Sequence, residues 1–163
     1  MQSRNIKVRL NDESISQAIS SLKEYKKTLK YKQAALMKEL GEHGFEVMVR
    51  EIDSYPMPYS KDDLINSVSY ECTGKTVTIY NASEHALFVE FGTGIVGSRS
   101  PHPHDTIGYH YDVNNHGDDG WYYRDEGEWQ WTKGMPSRPF AHGTYETLRV
   151  ELIDIVKKVF GSD

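Results

Sequence analysis

The sequence predicts an α+β fold with N-terminal helices, an antiparallel β-sheet of hairpins, and a C-terminal helix packed on the sheet. Three observations predict it. Apolar residues recur at helical spacing from Ile15 to Ile52, and again from Phe140 to Val159. Between those runs, the stretches 60–83 and 121–131 have the pattern of two strands joined by a glycine-bearing turn. With 163 residues, 37% of them hydrophobic, the chain suits one domain with its own core, read as 1–163 with a long loop insertion at about 94–120.

Taken in order, the alternation of Ile6, Val8 and Leu10 with Lys7 and Arg9 predicts a half-buried strand. Asp12 or Ser14 then offers a helix N-cap, after which Ile15, Ile19 (or Ala18), Leu22, Tyr25 and Leu29 mark one face. Leu36, Leu40, Val47, Met48 and Ile52 continue the run until Pro56 and Pro58 end it. Gly41 and Gly44 leave two helices or one kinked helix open. In the first hairpin, Leu64, Val68 and Tyr70 lead in, Thr73 and Gly74 turn, and Val77 and Ile79 lead out. "NASEHALFVEFGT" reads as a short helical or extended crossing under the sheet, and "WYYRDEGEWQW" as a second hairpin. The last helix carries Phe140, Tyr145, Leu148, Leu152, Ile155 and Val159 on its apolar face, with Lys157 and Lys158 where the dipole favours cations.

A net charge of −5 and a pI near 5.8 argue against a dedicated nucleic-acid binder, which carries a basic face. The charge is uneven. Lys23, Lys26, Lys27, Lys30 and Lys32 crowd one stretch, whereas Asp105, Asp112, Asp118, Asp119, Asp125, Glu126 and Glu128 face Arg124 alone. Opposed patches of this kind suit head-to-tail packing of copies, and equally suit two solvated surfaces. Cys72 is the single cysteine, so a disulfide framework is excluded and a reducing compartment is expected. The first residues lack a signal-peptide core and no stretch reaches the length of a membrane span, so a soluble, unexported protein is expected.

Chemistry is sparse. His102, His104, Asp105 and His110 form the candidate metal set, because imidazole and carboxylate are good ligands for zinc or a related ion. Their spacing gives no rigid presentation, and solvated loop residues are the competing reading. Cys72, on a hairpin arm, reads as a small buried thiol rather than a nucleophile. No nucleophile elbow, P-loop, dinucleotide fingerprint or zinc-protease motif is present. The glycine-rich "GTGIVG" is followed by Pro101 and Pro103, which predicts no helix N-terminus for phosphate. The expectation is a non-enzyme without cofactor.

One combination carries more. "NASEHALFVEFGTG" followed by "GMPSRPFAHGTYETLRVEL" resembles the head-tail joining, or neck, proteins of long-tailed bacteriophages, also described as minor tail components or tail-completion proteins. The matching residues are Glu90, Phe91, Gly92 and Thr93, then Pro136, Arg138, Pro139 and Phe140. Upstream, "YSKDDLINSVSYE" is similar to the family's entry into its first hairpin, with Ser60 and Asp62 or Asp63 where threonine and glycine are usual.

The resemblance implies a virion structural protein forming a homo-oligomeric ring, six-fold or twelve-fold, at the head-tail junction. Such a ring joins the capsid-side connector to the tail tube, meets neighbouring neck proteins, and is assembled in the host bacterial cytoplasm. Phe91 and Phe140 are expected core anchors, Gly92 a backbone turn, and Pro139 a first-turn residue of the last helix. Glu90 is expected to pair with Arg138, since a carboxylate between Val89 and Phe91 needs a partner; the alternative is an outward-facing Glu90. The loop, with Arg99, Asp105, Asp112, Asp118 and Asp119, is expected at an interface or a lumen where acids would let DNA pass without binding. At least one of Trp121, Trp129 and Trp131 is expected in the core. The alternatives are a metal-dependent hydrolase using the loop histidines and a non-virion adaptor.

Overall fold

A computed structural model of the chain describes residues 9–58, 60–104, 108–112, 114–117, 119–125 and 127–161. The expected strand at 6–10 falls largely outside them; Leu10, within them, is fully exposed. Helix α1 spans Asp12–Ser54. Its cap is Asn11, whose side chain accepts from the Ser14 amide, while Ser14 Oγ accepts from the Arg9 amide. Asp12, expected as a cap, lies in the first turn instead, where a negative charge complements the helix dipole. The helix ends because Tyr55 precedes Pro56 and takes extended backbone angles.

Gly41 and Gly44 do not break α1, which runs unbroken for 43 residues. They let the first hairpin approach instead. Strands β1 (Val68–Cys72) and β2 (Val77–Asn81) pair antiparallel with Tyr70 opposite Ile79. A Cβ at Gly41 would strike the Tyr70 ring, and one at Gly44 would strike Ile79 Cδ1. The cross-strand pair is therefore seated directly on the two glycines. Between α1 and β1, helix α2 (Asp62–Asn66) turns the chain and buries Leu64.

Helix α3 (Ala86–Phe91) and helix α4 (Gly94–Arg99) follow the first hairpin. The second hairpin comprises β3 (Trp121–Asp125) and β4 (Glu128–Thr132), also antiparallel. The two hairpins are separate two-stranded sheets. Helix α5 (Phe140–Gly161) runs antiparallel along α1: Gly143 meets Glu51, Leu148 lies beside Gly44, and Phe160 O accepts from Lys32 Nζ at 3.2 Å. The fold is thus α+β, a pair of long helices with the first hairpin and α2 packed against α1.

The core gathers Met48 and Ile52 from α1, Leu64, Val68, Ala86 and Val89, and Phe140 at the start of α5. The apolar face of α5 is narrower than its sequence suggests. Phe140, Thr144 and Ile155 are buried, whereas Tyr145 and Leu152 are 59% and 42% exposed. Thr144 is admitted to the interior because its hydroxyl donates to Phe140 O one turn back.

Because α5 ends beside Lys32, residues 12–31 of α1 extend about 30 Å past it at 1.5 Å per residue. Ile15, Ile19, Leu22 and Tyr25 lie along this extension, all more than 40% exposed. The second hairpin is also open to solvent. Trp129 and Trp131 are well exposed, and Trp121 alone of the three tryptophans is half-buried, stacked on His116 at 4.4 Å.

Candidate functional site

Helix α5 starts without a capping side chain, because Pro139 immediately before it carries no side-chain oxygen. Two of its first amides would be orphaned in a buried setting. Glu90, 7% exposed at the end of α3, satisfies them from another part of the chain. Its Oε2 accepts from the Ala141 amide at 2.8 Å and its Oε1 from the His142 amide at 3.0 Å. The adjacent bonds complete the start of the helix: Phe140 N donates to Arg138 O and Gly143 N to Pro139 O. A carboxylate at a helix N-terminus also gains from the dipole.

The question raised by a carboxylate between Val89 and Phe91 has this answer, and Arg138 is not part of it. Glu90's third bond, at 2.9 Å, is to Nε2 of His102, itself 6% exposed. Arg138 instead donates from Nε to Pro56 O at 3.1 Å and points Nη1 at Met135 Sδ. The backbone amides of α5 and the His102 imidazole supply the donors that a guanidinium was expected to give.

The two sequence motifs meet here. Gly92, with φ +80, ends α3, and a Cβ there would lie 2.6 Å from Ser137 N. Thr93 then forms an antiparallel bridge with Met135, Thr93 N to Met135 O at 2.9 Å and Met135 N to Thr93 O at 3.2 Å. Ser137 Oγ donates to Glu90 O at 2.6 Å, and Arg138 N donates to Val89 O at 2.9 Å. Phe140 is buried as expected, while Phe91 is only partly so, its ring 4.6 Å from His102 and 4.7 Å from Tyr109. Pro136 lies half-buried between them in sequence.

The histidines divide by environment. His102 uses both ring nitrogens: Nδ1 accepts from the His104 amide at 3.0 Å, so Nε2 carries the proton given to Glu90. Both nitrogens being engaged, it is not free for the ligand role in which it was a candidate. His110 is exposed, and Asp105 lies outside the described residues. The remaining candidate, His104, joins two residues of α5 instead. Donor atoms of His104, His142 and Glu146 lie within 4.8 Å of one another. His104 and His142 are edge-on at 4.7 Å between ring centroids. His142 and Glu146 were not singled out from sequence, although their spacing of four on a predicted helix puts them on one face.

The segment 94–120 is less loop-like than expected. Gly94–Arg99, the first part of the expected loop, is helical and overlaps "GTGIVG" itself, and Gly94 and Gly97 are buried. Asp112 caps the turn after it, accepting from His116 N at 2.8 Å and Gly117 N at 2.7 Å. Those amides, together with the His116 ring, hold its carboxyl below the usual 3.8. Arg99 and Asp119 are exposed, and Asp118 lies outside the described residues. Cys72 is exposed rather than buried. A hollow lined by Phe88, Thr93, Tyr111, Asp112, Asn114, His116 and Trp121 measures about 210 Å³, below the roughly 300 Å³ at which small-molecule pockets begin.

No helix among the described residues is long and apolar enough to cross a membrane. Comparison of the chain with family models, with curated proteins and with solved structures finds no match.

Proposed function

We propose that the chain is a virion structural protein that forms a homo-oligomeric ring at the phage head-tail junction, joining the capsid-side connector to the tail tube. The observation that carries the reading is the extension of α1. Ile15, Leu22 and Leu29 fall at one position of a seven-residue repeat, and Ala18 and Tyr25 at the position three residues later. In the single chain this seam faces solvent, with Leu22 57% exposed. An apolar helical seam of this length is a surface for another helix, and a ring supplies one from each neighbouring copy.

The motif resemblance supports the junction role, and the packing of "EFGT" against "PSRPF" gives those motifs a physical reason to occur together. Charge supports the ring: the seam is flanked by Lys23, Lys26, Lys27 and Lys30, and the second hairpin carries Asp125 and Glu128. No step of this role calls for catalysis or a cofactor.

The test is electron microscopy of particles made with this gene disrupted and then restored in trans. Filled heads beside unattached or abnormally ended tails, rescued by the intact gene, are the expected result. Normal infectious particles would overturn the reading, and a protein missing from purified particles would favour an adaptor acting inside the cell.

A further inference from the structure

We propose that His104, His142 and Glu146 bind a divalent transition-metal ion of the zinc class, which fastens the 100–104 segment to helix α5. The two imidazoles and one carboxylate form a mixed nitrogen and oxygen set that suits zinc and its neighbours, not the all-oxygen shells of magnesium or calcium. Tetrahedral bonds of about 2.1 Å put ligand atoms about 3.4 Å apart. The donor atoms lie within 4.8 Å of one another, so binding requires side-chain rotation to draw them up to about 1.4 Å closer.

The backbone beneath the ligands is already fixed. Glu90 Oε1 accepts from the His142 amide at 3.0 Å and from His102 Nε2 at 2.9 Å; His102 Nδ1 in turn accepts from the His104 amide at 3.0 Å. One buried carboxylate oxygen thus connects both ligand-bearing segments, so little ordering remains for metal binding to impose. Glu146 contacts Arg149 Nη1 at 3.2 Å, but that arginine side chain is 66% exposed and can turn into solvent. Three protein ligands leave a fourth position for water. The inference is independent of the ring assembly.

The experiment uses the full chain without a histidine tag, stripped by chelator and dialysed. Zinc is titrated by calorimetry, and cobalt(II) is followed by visible absorption. One ion per chain at micromolar affinity or better is expected, with a cobalt band in the visible region. H104A and E146Q should each weaken binding at least about tenfold, while H110A and R149Q retain it within about threefold. Circular dichroism checks that each variant keeps its helices, and E146Q preserves the shape of the side chain it replaces. Absence of saturable binding below about 1 mM, or binding undiminished in the H104A/E146Q double variant, would overturn the proposal.

Discussion

Glu90 caps a helix that begins 50 residues later in the chain, as the Ala141 and His142 amides converge on one side chain. Removing that carboxylate would leave two half-buried helix amides and the buried His102 ring without their acceptor. E90A should therefore lower stability by about 3 kcal/mol, a large share of the 5–15 kcal/mol that holds a typical domain together, and urea denaturation measures it. R138A should cost less, because Arg138 Nε serves a single carbonyl at an exposed site. Asp112 gives a residue-scale pH prediction. Its folded pKa is depressed, so its contribution is present above the unfolded value and is lost as pH falls through the folded one. The Asp112 side-chain carboxyl carbon resonance should accordingly titrate with a midpoint below the ordinary aspartate value; a midpoint at or above that value would contradict the cap.

Helix α1 illustrates how an element can be stabilised by residues that weaken it locally. Glycine costs a helix interior about 1 kcal/mol relative to alanine, yet Gly44 admits Ile79 from one side and Leu148 from the other. Gly44→Val would place three carbons in space that Ile79 and Leu148 fill, so both side chains must leave their present positions. We predict a loss of about 2 kcal/mol despite improved helix propensity, read as a lower melting temperature with unchanged helix content at 20 °C in circular dichroism. Helix α5 follows the same logic in reverse. Its buried positions, Phe140, Thr144 and Ile155, were set by contact with α1 and by an internal hydroxyl bond, so a larger exposed residue such as Tyr145 lost the place its size suggested.

For the whole molecule, the α1 extension carries the proposed subunit contact, its apolar residues being exposed in the single chain. L22D together with L29D should leave the folded body intact, since both positions lie on the part of α1 beyond α5, while preventing the proposed ring assembly. Native mass spectrometry of particles or of templated assemblies would show loss of the higher oligomer with an unchanged monomer spectrum. If assembly survives both charges, the seam is not the subunit contact. Raising salt from about 50 mM to 500 mM should separately weaken any pairing between the lysine flank and the acidic hairpin, because exposed charges are screened over a few ångströms at that ionic strength.

The α+β class, both hairpins and the helical character of both long runs were legible in the sequence because periodicity and turn chemistry are local properties, read over windows shorter than an element, while the continuity of α1 through Gly41 and Gly44 was left open. Glu90 was also legible as a residue in need of a partner, since a carboxylate flanked by Val89 and Phe91 violates the pattern around it. The partner's identity was not, because the donors were backbone amides of α5 and a histidine 12 residues away, which residue type does not announce. Of the proposed metal set only His104 was a candidate from sequence, and His142 and Glu146 join it only when the 100–104 segment folds back onto the last helix. Local sequence determined the elements of this protein; long-range packing decided which polar groups would face one another, because burial compels each to find a partner that proximity in the chain does not supply.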